Sequence, residues 1–380
     1  MLGVDRFILS SDVIKKSRAA LLTNHATLAS SGLPVALELK RSGINLIKLF
    51  SPEHGIHSQD EDGKAQSNQI DPITGLPVIS LYGSTMIPQE NDLADIDYVL
   101  IDLPSIGCRF YTYLWSITYM LEAAGRAGKK VVLLNRPNLS QRVAAQCEGP
   151  LLDESSCASF LGRWRLPITF PFSNGAMAQW FIHERNMDVE MQVVAHQSNS
   201  INNFVPPSPA MSDYQTILIY PFSGLLEGIN VSHGRGTSYP FRVVGAPWID
   251  AIAFHEEFNR KKFAGIKAVP HFFQPMWSRY EKVFCHGLYF TVTDATLFRP
   301  VALACWVMHY LATNYPQQLQ PATYPTAANP TGERHLDLLT GLSDSFTILC
   351  NSSITSDEIE KLTGCQDWFE KVNHFLQDKS

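Results

Sequence analysis

Along the first half of the chain the apolar positions come as short continuous runs, at residues 19–22, 44–50, 77–81, 98–102, 130–134 and 191–195. Runs of this length without alternation predict strands buried on both faces. Stretches with helical spacing lie between several of them, at 34–41, 112–127 and 175–186. Strands separated by amphipathic helices predict a parallel sheet covered on both sides, an α/β fold. The second half is mixed: 214–220 and 287–293 read as strands, 300–313 and 356–376 as helices, an α+β arrangement. Pro, Ser and Asn cluster at 198–209 (SNSINNFVPPSP), which marks a boundary. The expected domains are therefore 1–200 and 201–380, with a cleft between them.

In a parallel sheet of this kind ligands bind beyond the carboxyl ends of the strands. The polar residues directly after each run are thus the first candidates for chemistry. They are Thr23, Asn24 and His25; then Ser51, Glu53 and His54; then Asp102, Ser105, Arg109, Tyr111 and Tyr113; then Asn135, Arg136 and Asn138. No GxGxxG follows the first strand, which argues against a dinucleotide. No GxSxG elbow, P-loop or Cys-His arrangement is present either.

Composition narrows the class. With 380 residues, 45% hydrophobic and 17% charged, the chain has material for two well-packed domains. A net charge of -6 and no run of Lys and Arg speak against nucleic acid as a partner. The longest apolar stretch, 301–312, is broken by His309 and is too short to span a membrane. The opening MLGVDRFILSSDVIKK lacks the pattern of a signal peptide. The seven scattered cysteines, never spaced CxxC, fit reduced buried thiols. The expected location is cytoplasmic, or periplasmic if a leader has been removed.

One polar loop stands out, at residues 227–250 (EGINVSHGRGTSYPFRVVGAPWID). Gly234 and Gly236 flank Arg235 and let the backbone approach a ligand closely. The guanidinium is a planar fork suited to a carboxylate or phosphate. Asn230, Ser232 and His233 adjoin it, and Glu227 lies upstream. Glu53, in SPEHG, follows a strand with Pro52 before it and Gly55 close behind, and is the leading acid. A carboxyl group held at a partly desolvated rim can serve as a general acid near neutral pH. Glu227 is the expected second carboxylate and Asp102 its rival, since paired carboxyl groups suit glycoside hydrolysis. The run at 54–62 (HGIHSQDED), with His54 and His57, offers a metal-dependent hydrolase as an alternative.

Several motifs together resemble a known bacterial family: LLTNHAT (21–27), LFSPEHG (49–55), DPITGLPVISLYG (71–83), IDLPSIGCRFYTY (101–113), LNRPN (134–138) and EGINVSHGRGTSYPF with GAPWID. The family, formerly a domain of unknown function, is that of the exo-β-N-acetylmuramidases of the NamZ type, and the resemblance runs over nearly the whole chain. It implies a Rossmann-like first domain and a smaller second domain bearing the HGRG loop. It also implies removal of a terminal N-acetylmuramic acid from peptidoglycan fragments without a cofactor. By motif, Glu53 becomes the catalytic acid. Asn24, His54, Arg109, Tyr111, Tyr113, Asn135, Arg136, Glu227, Asn230, Ser232 and Arg235 become cleft residues, with Arg235 expected to hold the lactyl carboxylate. Four positions depart from the family pattern: Ser173 and Gln179 stand where His and Glu are usual, Ala210 replaces an Asn, and His233 an acid. They keep open a muropeptide-binding protein with weakened catalysis.

Overall fold

The computed structural model describes residues 1–10, 14, 16–58, 60, 62–143, 147–197 and 204–378. The first half of the boundary expected at 198–209, residues 198–203, lies outside them.

Six strands fall where the continuous runs placed them: β1 (Ala19–Thr23), β2 (Leu46–Ser51), β4 (Pro77–Ser80), β5 (Tyr98–Asp102), β6 (Lys130–Leu134) and β7 (Met191–Val194). A two-residue strand, β3 (Gln69–Ile70), joins them in a seven-stranded sheet of order β3-β4-β2-β1-β5-β6-β7. Every pairing is parallel except β3 with β4. The run-like composition has a direct cause. In β1, Ala20 and Leu22 pack with Val99, Ile101, Tyr113 and Ile117 on one face. Ala19 and Leu21 pack with Leu49, Leu100, Val35 and Phe7 on the other. Both faces are covered, so the strand is apolar from Ala19 to Leu22 and turns polar only at its carboxyl end, Thr23. The register Thr23 with Asp102, and Ser51 with Ser80, aligns the carboxyl ends of the strands on one rim.

A second, smaller sheet is antiparallel, with order β8 (Val243–Ala246), β10 (Cys285–Val292), β9 (Ile266–Phe273). Helices Tyr214–Ser223, Ala251–Lys261 and Pro300–Asn314 pack around it. Residues 214–220, expected as a strand, are helical instead. The Asp213 side chain accepts from the Thr216 amide at 2.8 Å and caps the helix. The helix is apolar nearly all round because it is buried all round, and such a run carries no period to separate helix from strand. The expected helix at 356–376 is two, Ser356–Thr363 and Gln366–Gln377. The seven cysteines are free and six are buried; the Cys147 and Cys365 thiols meet at 2.9 Å. No helix among the described residues is long and apolar enough to cross a membrane.

Candidate active site

Pro52 and Glu53 leave β2 at the rim, and the backbone then turns through two left-handed residues, His54 (φ 71°) and Gly55 (φ 79°). The turn buries the Glu53 side chain. Its Oε1 accepts from the Gly63 amide at 3.0 Å and its Oε2 from the Thr112 hydroxyl at 2.7 Å. His54 Nδ1 lies 3.3 Å from the Asp60 carbonyl.

The opposite wall comes from the HGRG loop. Glu227 sits on a short 3-10 turn, Leu225–Gly228, and Oε1 accepts from Arg235 Nε at 3.1 Å and Nη2 at 3.0 Å. His233 and His335 each place Nε2 3.8 Å from a Glu227 oxygen. Burial alone would raise the Glu227 pKa. The Arg235 charge and the His335 contact outweigh burial and hold it at about 2. His233 is pushed down to about 4, chiefly by burial.

Arg235 Nη1 also donates to Asp62 at 2.7 Å, and the Tyr324 hydroxyl donates to the same carboxylate. The guanidinium lies over the Phe241 ring, 4.8 Å from its centre. Burial works against its charge, but Asp62 and Glu227 keep it firmly protonated. Glu53, His54, Tyr111, Glu227 and Arg235, all named from sequence, line one pocket together with Asp62. Its empty volume is about 610 Å³, counting space open to solvent. Ala210 lines it too, and Phe110, Tyr220 and Phe241 give it apolar walls.

Other expected residues do not line it. Asp102 is buried against Arg136, which grips it through Nε and, at 3.0 Å, through Nη2; Arg136 also donates to the Leu28 carbonyl at 2.8 Å. The two rim residues satisfy each other. Arg109 is wholly buried and donates to the carbonyls of Pro150 (2.8 Å), Leu166 (2.6 Å) and Leu339 (2.8 Å), so it ties backbone rather than an anion. Asn135 accepts from the Gly175 amide at 3.0 Å and donates to Ser173 at 3.0 Å, steadying the start of helix Asn174–Glu184. Ser173, one of the departures, caps that helix. Asn230 is bonded to Gln318 and Gln320. Ser232 pairs through its backbone with Gly245. Asn24 and Tyr113 both donate to the Pro207 carbonyl, at 2.9 and 2.7 Å, directly behind Glu53.

The histidines of the 54–62 run diverge. His57 Nε2 meets Asp71 at 3.0 Å while His54 faces the Asp60 carbonyl. Gln59 and Glu61 of that run lie outside the described residues.

Sequence reasoning missed Thr112, Tyr324 and His335, and took Asp62 only as part of an acidic run. Thr112 stands one residue before the helix at 113–126, in the very segment that was singled out. Tyr324 and His335 bracket a stretch rich in Pro and Gly, the signal of a built loop.

Residues 19–215 match the family model described as exo-β-N-acetylmuramidase NamZ, N-terminal, and residues 218–377 match the corresponding C-terminal model. This chain belongs to the NamZ family. It is 34% identical over 316 residues to the peptidoglycan β-N-acetylmuramidase NamZ of Bacillus subtilis (strain 168), across 81% of this chain and 76% of that protein. Two crystal structures of DUF1343 family proteins from Bacteroides fragilis NCTC 9343 share the fold at 23% identity. One superposes with a TM-score of 0.85 over 98% of this chain and 97% of its own, the other with 0.71 over 99% and 96%. As a NamZ family member the chain is an exo-acting glycosidase.

Proposed function

We propose that this NamZ family member removes a non-reducing terminal N-acetylmuramic acid, or a closely related sugar, from peptidoglycan fragments, with Glu53 as the general acid. The observation that carries the assignment is the pairing of two unlike carboxylates, Glu53 and Glu227, in one buried pocket. Glu227, held at about 2, is ionised at neutral pH and has no proton to give. It is also too weak a base to be useful there. Its fixed negative charge suits the cation that develops on the sugar ring as the glycosidic bond breaks.

Glu53 takes the proton role. The Gly63 amide can only donate, so Oε1 must remain an acceptor. Thr112 can turn its hydroxyl from donor to acceptor, so Oε2 is the oxygen that carries the proton and delivers it to the leaving group. Asp102, held by Arg136, is not part of this reading. The cytoplasm is the favoured place of action, because all seven thiols are free.

A chromogenic aryl N-acetylmuramide tests the reading. The wild-type protein should release the chromophore, and Glu53→Gln should lose about 100-fold or more in rate. Binding without turnover by the wild type would leave only the weakened, sugar-binding alternative.

A further inference from the structure

The sequence assigned the substrate carboxylate to Arg235, but that guanidinium already holds two carboxylates, Glu227 and Asp62. One positive charge against two negative ones leaves the cluster net anionic. An incoming carboxylate would meet repulsion there. A sugar bearing one needs a cation that is not already paired.

The loop between β9 and β10 supplies such a group. It is seated on the HGRG loop: the Met276 amide donates to the Gly236 carbonyl at 2.8 Å. A Cβ on Gly236 (φ 81°) would lie 2.2 Å from the Trp277 carbonyl oxygen, so only glycine permits this approach. Around Arg279 the backbone is unusual, with Ser278 (φ 74°), Tyr280 (φ 61°) and Lys282 (φ 57°) all left-handed. Non-glycine residues persist there only when their surroundings hold them. These do: Tyr280 donates to the Asn230 carbonyl at 2.7 Å and accepts from Trp248 at 3.1 Å. The Lys282 amide donates to Pro275 at 2.8 Å, and Gln274 donates to the Lys282 carbonyl at 2.6 Å.

This braced loop presents Arg279 half-buried, with no hydrogen-bond or ion-pair partner among the described residues. The loop's one acid, Glu281, is taken by Lys282 at 2.9 Å. Burial depresses the Arg279 pKa. The Trp277 carbonyl, two residues before it, packs against Gly236, the neighbour of the pocket-lining Arg235, and so the loop brings Arg279 to the pocket's edge. A desolvated guanidinium without a partner is a ready site for a planar anion.

We infer that Arg279, held on the strained loop docked against Gly236, pairs with the carboxylate of the substrate sugar and sets the preference for a muramic acid over the glucosamine that lacks it. The inference rests on the substrate reading given above. Arg279→Ala and Arg279→Lys are compared with wild type on the aryl N-acetylmuramide, with kcat and KM measured separately. Binding of free N-acetylmuramic acid and of N-acetylglucosamine is measured by calorimetry. Losing one charge-assisted contact should raise KM on the muramide and weaken N-acetylmuramic acid about 10- to 100-fold in Arg279→Ala. N-acetylglucosamine binding and the thermal midpoint should stay unchanged, and Arg279→Lys should recover part of the loss. If wild type cleaves the muramide and Arg279→Ala keeps its KM and its affinity for the acid sugar, the inference is overturned while the function stands. If wild type neither cleaves nor binds the acid sugar, both fall.

Discussion

Arg235 reaches across 173 residues of sequence to Asp62 and holds it at 2.7 Å, while the same guanidinium clasps Glu227. The contact joins the loop after β2 to the wall opposite. Gly63, next to Asp62, donates its amide to Glu53, so the acid and the distant arginine are linked through one peptide.

Asp62→Ala should therefore damage both stability and rate. Removing one partner of a buried pair costs about 3–5 kcal/mol. The Asp62 side chain is 18% exposed, so a lower figure, about 2–3 kcal/mol, is expected here. With the Gly63 amide no longer fixed on Glu53, kcat should fall about 10-fold or more. Denaturant unfolding and kcat on the aryl muramide check the two effects. An unchanged kcat in the folded variant would reduce Asp62 to a structural tie.

Acid should weaken the fold in two stages. His233 is held at about 4 against an ordinary 6.5, so its neutral form belongs to the folded state. That stabilisation is complete above pH 6.5 and is lost as the pH falls towards 4. Glu227 is held at about 2 against 4.5, so its contribution is complete above pH 4.5 and drains away towards 2. Each is worth about 3 kcal/mol at full strength. Urea midpoints from pH 7 to pH 4 should fall steadily for wild type and much less for His233→Gln. A flat wild-type profile over that range would contradict the burial of a neutral His233.

The parts of this molecule that were legible in sequence are those whose meaning is local. Ala19–Thr23 reads as a buried strand because both its faces are covered, and Glu53 and Arg235 stand out through a strand end and two glycines. Residues defined by what they meet across the chain were not legible. Asp102 and Arg136 looked like two separate candidates on one rim and are in fact each other's partner. Tyr324 and His335 are marked only as the ends of a loop with Pro and Gly, which says nothing of what they meet, yet they stack at 4.8 Å and close the pocket beside Glu227. The helix Tyr214–Ser223 was misread because burial on every side erased its period.

Arg109 distinguishes a structural arginine from an anion-binding one. Its pKa is depressed to about 10 by burial, no carboxylate among the described residues pairs with it, and three carbonyls from distant segments accept its hydrogen bonds. Arg109→Met should lose those bonds and about 3 kcal/mol or more of stability, since buried carbonyls are left unpaired. The folded remainder should keep the wild-type KM. A KM raised 10-fold or more without loss of stability would return Arg109 to the list of substrate ligands.

The thiols offer a test of the proposed cytoplasmic location. Cys147 and Cys365 face each other at 2.9 Å, where the Gly149 amide donates to the Thr363 carbonyl at 2.7 Å and keeps the two backbones in register. Of the seven cysteines these are therefore the two positioned to join if an oxidant reaches them. In a reducing compartment all seven remain thiols. Cells lysed directly into denaturant containing an alkylating agent, so that the buried thiols are exposed and trapped at once, should yield protein carrying seven labels, read by intact mass. Five labels, with the 147 and 365 peptides linked, would move the site of action to an oxidising compartment and overturn the cytoplasmic assignment.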